Sequence, residues 1–135
     1  MKYSLSKNIF LSSKQSSQNC QIFTNDKTGI FMICDGRGEQ EQGAVASQLA
    51  VDFISKALSS NRKLFEAFIE DSSDQKRHEI TELIEDVIFK TSYQISKKVS
   101  KDSARRKMGS SLSLMLVLGK HALVANISDS GIFLT

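Results

Sequence analysis

The hydrophobic period of this chain changes twice, and that constrains its fold more than any single motif. Between Asn8 and Cys34 the apolar residues come in short runs separated by polar ones: Ile9-Phe10-Leu11, Cys20-Gln21-Ile22-Phe23 and Ile30-Phe31-Met32-Ile33-Cys34. Short apolar runs bounded by turn-forming residues predict strands. The second and third runs are joined by Asn25-Asp26-Lys27-Thr28-Gly29, whose Asn, Asp and Gly tolerate the left-handed backbone of a hairpin loop. The third run lacks alternation, which predicts a strand buried on both faces. Beyond Asp35 the period becomes helical. Ala46, Leu49, Ala50, Phe53, Ile54, Ala57 and Leu58 fall on one face, the stripe of an amphipathic helix. Leu64-Phe65 and Phe68-Ile69 add a helical turn or two between polar breaks. Ile80, Leu83, Ile84, Val87, Ile88, Ile95 and Val99 then form a second long stripe.

From Ser111 the strand pattern returns as Leu112–Leu118 and Ala122–Ile127 around Gly119-Lys120, with a final run Ile132–Thr135. Glycine at the first of two loop positions suits a type II′ turn. The order βββ-αα-βββ, with hairpins at both ends and the helices in one block, predicts an α+β fold: an antiparallel sheet covered by helices, not a doubly wound parallel sheet. At 135 residues the chain is expected to form a single domain, residues 1–135. Proline is absent, so the turns rely on Gly, Asn, Asp and Ser.

Eighteen basic residues against fifteen acidic leave a net charge of +3, too little for a dedicated nucleic-acid binder that must neutralise many phosphates at once. No apolar run reaches the ~18 residues that span a bilayer. The N-terminus Met1–Lys7 has no apolar stretch behind it. The expected location is the cytoplasm. Cys20 and Cys34 lie inside apolar runs without ligand-spaced neighbours. They read as free buried thiols, with a disulfide or metal pair as the alternative.

Asp35-Gly36 stands at the expected exit of the most apolar strand. A carboxylate there can bind a hard cation, and the glycine lets its own carbonyl approach; ordinary turn chemistry is the other reading. Gly36-x-Gly38 lacks both the third glycine of a dinucleotide loop and the Gly-Lys-Ser/Thr of a phosphate-binding loop. His78, on a polar stretch before the second long helix, and His121, next to a hairpin turn, have no recognisable acid and nucleophile partner, and both read as solvated surface histidines. The stretch 97–107 carries six basic residues and one acid. It suits a solvated helix end, where cations meet the negative pole of the helix dipole, or else a surface for an acidic or phosphorylated partner.

The order of these signals resembles the N-terminal half of the metal-dependent protein serine/threonine phosphatases, the PPM or type 2C family, in its short bacterial form. Three blocks carry the likeness. Ile30–Glu39 continuing through Gly43–Ala50 is similar to the family's strand, Asp-Gly-x-Gly-Gly loop and small-residue helix. Met108-Gly109-Ser110-Ser111-Leu112 is similar to its Gly-Thr/Ser block, and Ala125-Asn126-Ile127-Ser128-Asp129-Ser130 to its Gly-Asp-Ser segment. The resemblance implies a sandwich of two antiparallel sheets flanked by helices, with Mg²⁺ or Mn²⁺ ions activating a water for attack on phosphoserine or phosphothreonine.

Residue by residue, the resemblance implies that Asp35 is the bridging metal ligand and Gly36 the carbonyl ligand. Lys14 falls where the family has a phosphate-binding Arg, a point charge in place of a bidentate fork. Asn19 falls where the family has a carboxylate, and so removes one negative charge from the site. Arg37 replaces a residue that is His in some members, and it cannot give up a proton near neutral pH. Asp129 keeps an acid that can support a further metal, while Ser128 replaces the preceding Gly and Gly131 an Arg. The remaining metal-binding aspartates of the family lie beyond a domain half of this length.

These departures lead to the expectation of a catalytically impaired phosphatase-like domain, a fragment or a reduced relative, that binds a phosphoprotein or regulatory partner and retains a weakened site for Mn²⁺ or Mg²⁺. The alternative is the N-terminal half of an active Mn²⁺/Mg²⁺-dependent phosphatase. A third reading is an unrelated α+β interaction domain. An incomplete domain would leave sheet exposed, which leads to the expectation of a homodimer through the sheet's edge or uncovered face.

Overall fold

The computed structural model describes residues 19–39, 41–100 and 108–127. Strands β1 (Cys20–Asn25) and β2 (Ile30–Arg37) are followed by helices α1 (Gln42–Ser59), α2 (Arg62–Glu70) and α3 (Asp74–Ser100). Strands β3 (Gly109–Ser110), β4 (Leu112–Leu118) and β5 (His121–Ile127) complete the described elements. The sheet is antiparallel in the order β1-β2-β4-β5, with β3 paired to the end of β2. The α+β expectation is therefore borne out. The expected first strand at 9–11 and last strand at 132–135 lie outside the described residues.

Both hairpins form where the turn residues predict them. Gly29 has φ +69° and Gly119 φ +62°, a backbone region that costs glycine nothing. Asn25 closes the first turn by accepting the N–H groups of Lys27 and Thr28 through Oδ1, at 3.1 and 3.2 Å. The second is a two-residue loop, since Leu118 pairs directly with His121.

Period-2 alternation divides the sheet into two faces. Ile30, Met32 and Cys34 of β2 and Leu112, Leu114, Leu116 and Leu118 of β4 are buried on the helix side. There they pack with Ile54 and Leu58 of α1, Phe65 and Phe68 of α2 and Ile80, Ile84 and Val87 of α3. On the other face lie Phe31, Ile33 and Val124, in register through Met115 and Ser113. Ile33 is 44% exposed and Val124 50%. The expectation that the third run is buried on both faces holds at every position of Ile30–Cys34 except Ile33: the three helices stack on one side, and on the other Phe31 is 8% exposed while Ile33 is open.

The cluster 64–69, expected as a turn or two, is a nine-residue helix. It is long enough to insert Phe65 and Phe68, 4% and 0% exposed, between the sheet and α3. His121 is a second correction. It is half-buried, with its ring edge-to-face on Phe68 at 5.3 Å between centroids and Nδ1 3.5 Å from Ser72 Oγ, whereas His78 is exposed beside Glu82 as expected. Among the described residues no helix is long and apolar enough to cross a membrane.

Candidate functional site

The residues singled out by sequence converge on the end of β2. That strand does not stop at Asp35 as expected but runs on through Arg37, because β3 supplies a partner: Gly36 pairs with Ser110 and Arg37 with Gly109. Ser111 then clamps the Asp35 backbone from both sides. Its N–H donates to the Asp35 carbonyl at 2.9 Å, and its Oγ accepts the Asp35 N–H at 3.2 Å. Asp35 is half-buried and lies opposite Cys20 in register, so Asn19 stands one residue from its cross-strand partner.

Gly36 is not a turn residue: it lies within β2, and among the described residues the positive-φ glycines are Gly29, Gly38 and Gly119. What it provides is proximity. A Cβ on Gly36 would fall inside the carbonyl of Gly43, in the first turn of α1. A Cβ on Gly43 would in turn meet the Gly36 carbonyl oxygen at 2.8 Å and Asn19 Nδ2 at 2.9 Å. The two glycines are thus in direct backbone contact, with the Asn19 amide packed against Gly43 at the same place, at the edge of a buried strand. Of the sequence-predicted set, the structure brings Asp35, Gly36 and Asn19 together here; Lys14 and Asp129 lie outside the described residues. The parts that sequence reasoning left unassigned are Gly43 and Ser111. The small residue opening the helix and the serine between two strand runs were the available signals.

The hard oxygens at this strand end are the Asp35 carboxylate and the Gly36 carbonyl, while Asn19 turns its Nδ2 toward Gly43. Asp35 is the one carboxylate on β2. Among the described residues no three His, Cys, Asp or Glu side chains come together to hold a metal ion. A divalent cation of this class wants six or more oxygens with several carboxylates among them. The described residues do not by themselves fit a dinuclear centre.

Neither cysteine supplies a substitute. Neither is in a disulfide, and Cys34 is buried while Cys20 is half-buried. The Cys34 thiol is pushed from an ordinary 9.0 up to about 12, first by burial and then by the neighbouring Cys20, with a hydrogen bond to Ser110 opposing. It stays protonated near neutral pH and is neither a nucleophile nor a thiolate ligand. A hollow of about 440 Å³ lies between α3 and the start of β4, bordered by Ile54, Ile88, Thr91, Ile95, Met108 and Ser111, and none of its described lining residues is titratable.

Comparison with known proteins identifies this arrangement. The family described as Protein phosphatase 2C matches residues 11–135. A search of the curated proteins finds no match. Among solved structures, the serine/threonine phosphatase PstP/Ppp of Mycobacterium tuberculosis superposes with a TM-score of 0.64 at 17% identity, over 85% of this chain and 42% of its own. A bacterial serine phosphatase bearing an arginine-to-glutamate substitution gives 0.59 at 20% identity, over 87% of this chain and 49% of its own. The chain thus spans under half the length of either structure, and the shared part is the antiparallel sheet with its helical layer. With the strand-to-helix contact at Gly36 and Gly43 in place and the family pattern running from residue 11 to residue 135, this chain belongs to the protein phosphatase 2C family.

Proposed function

We propose that this domain is a protein phosphatase 2C-type module with an impaired site, acting by binding a phosphorylated protein or a regulatory partner in the cytoplasm. The observation that carries this reading is the Asn19 amide packed against Gly43 where the Gly36 carbonyl also approaches. The family resemblance calls for a carboxylate there, and the change removes a negative charge from a position where cation affinity depends on it. The family is in general Mn²⁺- or Mg²⁺-dependent. Asp35 and Gly36 would be the strongest remaining ligands, with Asn19 contributing a neutral oxygen and Asp129, by the family resemblance, an acid that can support a further metal. Lys14 would attract a phosphate as a point charge, which serves binding better than in-line positioning.

One observation favours a second reading, the N-terminal half of an active Mn²⁺/Mg²⁺-dependent protein serine/threonine phosphatase. The Gly36–Gly43 approach and the Ser111 clamp on Asp35 keep the strand end in defined geometry, as a working site would require.

Calorimetric titration of the chain and of Asn19→Asp with Mn²⁺ tests the proposal. Weak binding by the parent and a gain of about tenfold or more on restoring the carboxylate are expected, in line with the charge-count dependence of such sites. Tight Mn²⁺ binding by the parent, unchanged in Asn19→Asp, would contradict it.

A further inference from the structure

The outward face of α3 carries two aromatic residues that none of the described elements covers. Phe89 is 73% exposed and Tyr93 54%, one helical turn apart, on the side opposite the buried stripe Ile80, Ile84, Val87 and Thr91. Water-facing aromatics at adjacent positions are the residues that interfaces bury. The charges flanking them are distributed by position along the helix. Before Phe89, the outward face bears Glu79, Glu82 and Asp86; after it, Lys90 and Lys97 flank that face, with no acid from Lys90 to Lys98.

A helix that is acidic in one half, basic in the other and aromatic in the middle is complementary to itself when turned end for end. We propose that α3 is a homodimer interface, with two copies packed antiparallel about a two-fold axis beside residue 91. Phe89 of each copy then meets Tyr93 of the partner copy. Asp86 and Lys97, which lie on the same flank of the aromatic pair, come into register across the axis. In the single chain, Asp86 holds Lys90 at 2.7 Å and Lys97 Nζ sits 4.7 Å from the Tyr93 ring centre. The charged groups are thus already drawn in along the seam. Such an isologous contact uses one patch twice. With the axis at residue 91, residues 82–100 of the two copies overlap, a seam about 28 Å long. A basic or acidic foreign partner would satisfy only one half of this face, whereas a second copy satisfies both.

Sedimentation velocity of the 135-residue chain at rising concentration is the test. The expected result is a species of twice 15.0 kDa that weakens with salt. The double variant Phe89→Ser, Tyr93→Ser is expected to abolish it. Asp86→Lys and Lys97→Asp should each raise the dissociation constant by about tenfold or more, because like charges then face each other twice per dimer. The combined exchange of the two charges should restore association, and circular dichroism confirms that each variant keeps its helices. A monomer at every concentration would overturn the proposal. So would a dimer indifferent to all four substitutions, which would place the contact on the exposed sheet face at Ile33 and Val124.

Discussion

Gly36 of β2 and Gly43 of α1 pack backbone against backbone, each occupying the space where the other's Cβ would stand. Because both sides of the contact are main chain, neither can yield by changing a rotamer. Gly36→Ala must therefore push α1 away from the sheet. Overpacking of this kind is expected to cost about 3 kcal/mol, read as a lower urea midpoint with an unchanged slope. Stability equal to that of the parent would mean that the helix is not seated on the strand as described.

Phe68 is fully buried between α2 and the sheet and holds His121 edge-on. Phe68→Ala is expected to cost about 3–5 kcal/mol, the usual toll of an aromatic-sized cavity. His121→Ala should cost less, because that ring is half-buried. Thermal unfolding of the two variants checks the order.

Cys34 couples stability to alkaline pH. In the folded chain its thiol is raised to about 12, while in the unfolded chain it ionises near 9.0. The unfolded state therefore releases a proton first as pH rises. The stabilisation is complete below about pH 9 and is lost between there and about pH 12, at up to about 1.4 kcal/mol per pH unit. Cys34→Ala should lower stability at pH 7 and flatten that alkaline decline. Equal slopes for the two proteins between pH 8 and pH 11 would contradict the assignment.

Much of this fold was legible in the sequence because its two periods are kept apart. Alternation and short apolar runs marked β1, β2, β4 and β5; the 3.6-residue stripe marked α1 and α3; and Gly29 and Gly119 marked the hairpins. What the sequence did not show was which side of β2 the helices would take. A run such as Ile30–Cys34 is apolar at every position, so only the one-sided stacking of α1, α2 and α3 reveals that Ile33 is exposed. The ligand-like pair Asp35-Gly36 was legible as a motif. The partnership of Gly43 with Gly36 and Asn19 was not, since it joins residues through space and depends on groups that are absent. The Ser111 clamp escaped for a similar reason: it acts across 76 residues.

The central claim is that a protein phosphatase 2C fold persists here with a site too poor in carboxylates to turn over. Hydrolysis of p-nitrophenyl phosphate by the 135-residue chain in Mn²⁺ or Mg²⁺, measured beside Asp35→Ala, addresses it most directly. The account predicts no metal-dependent rate above that of the Asp35→Ala variant. A metal-dependent rate that Asp35→Ala abolishes would contradict it and establish the active-enzyme reading.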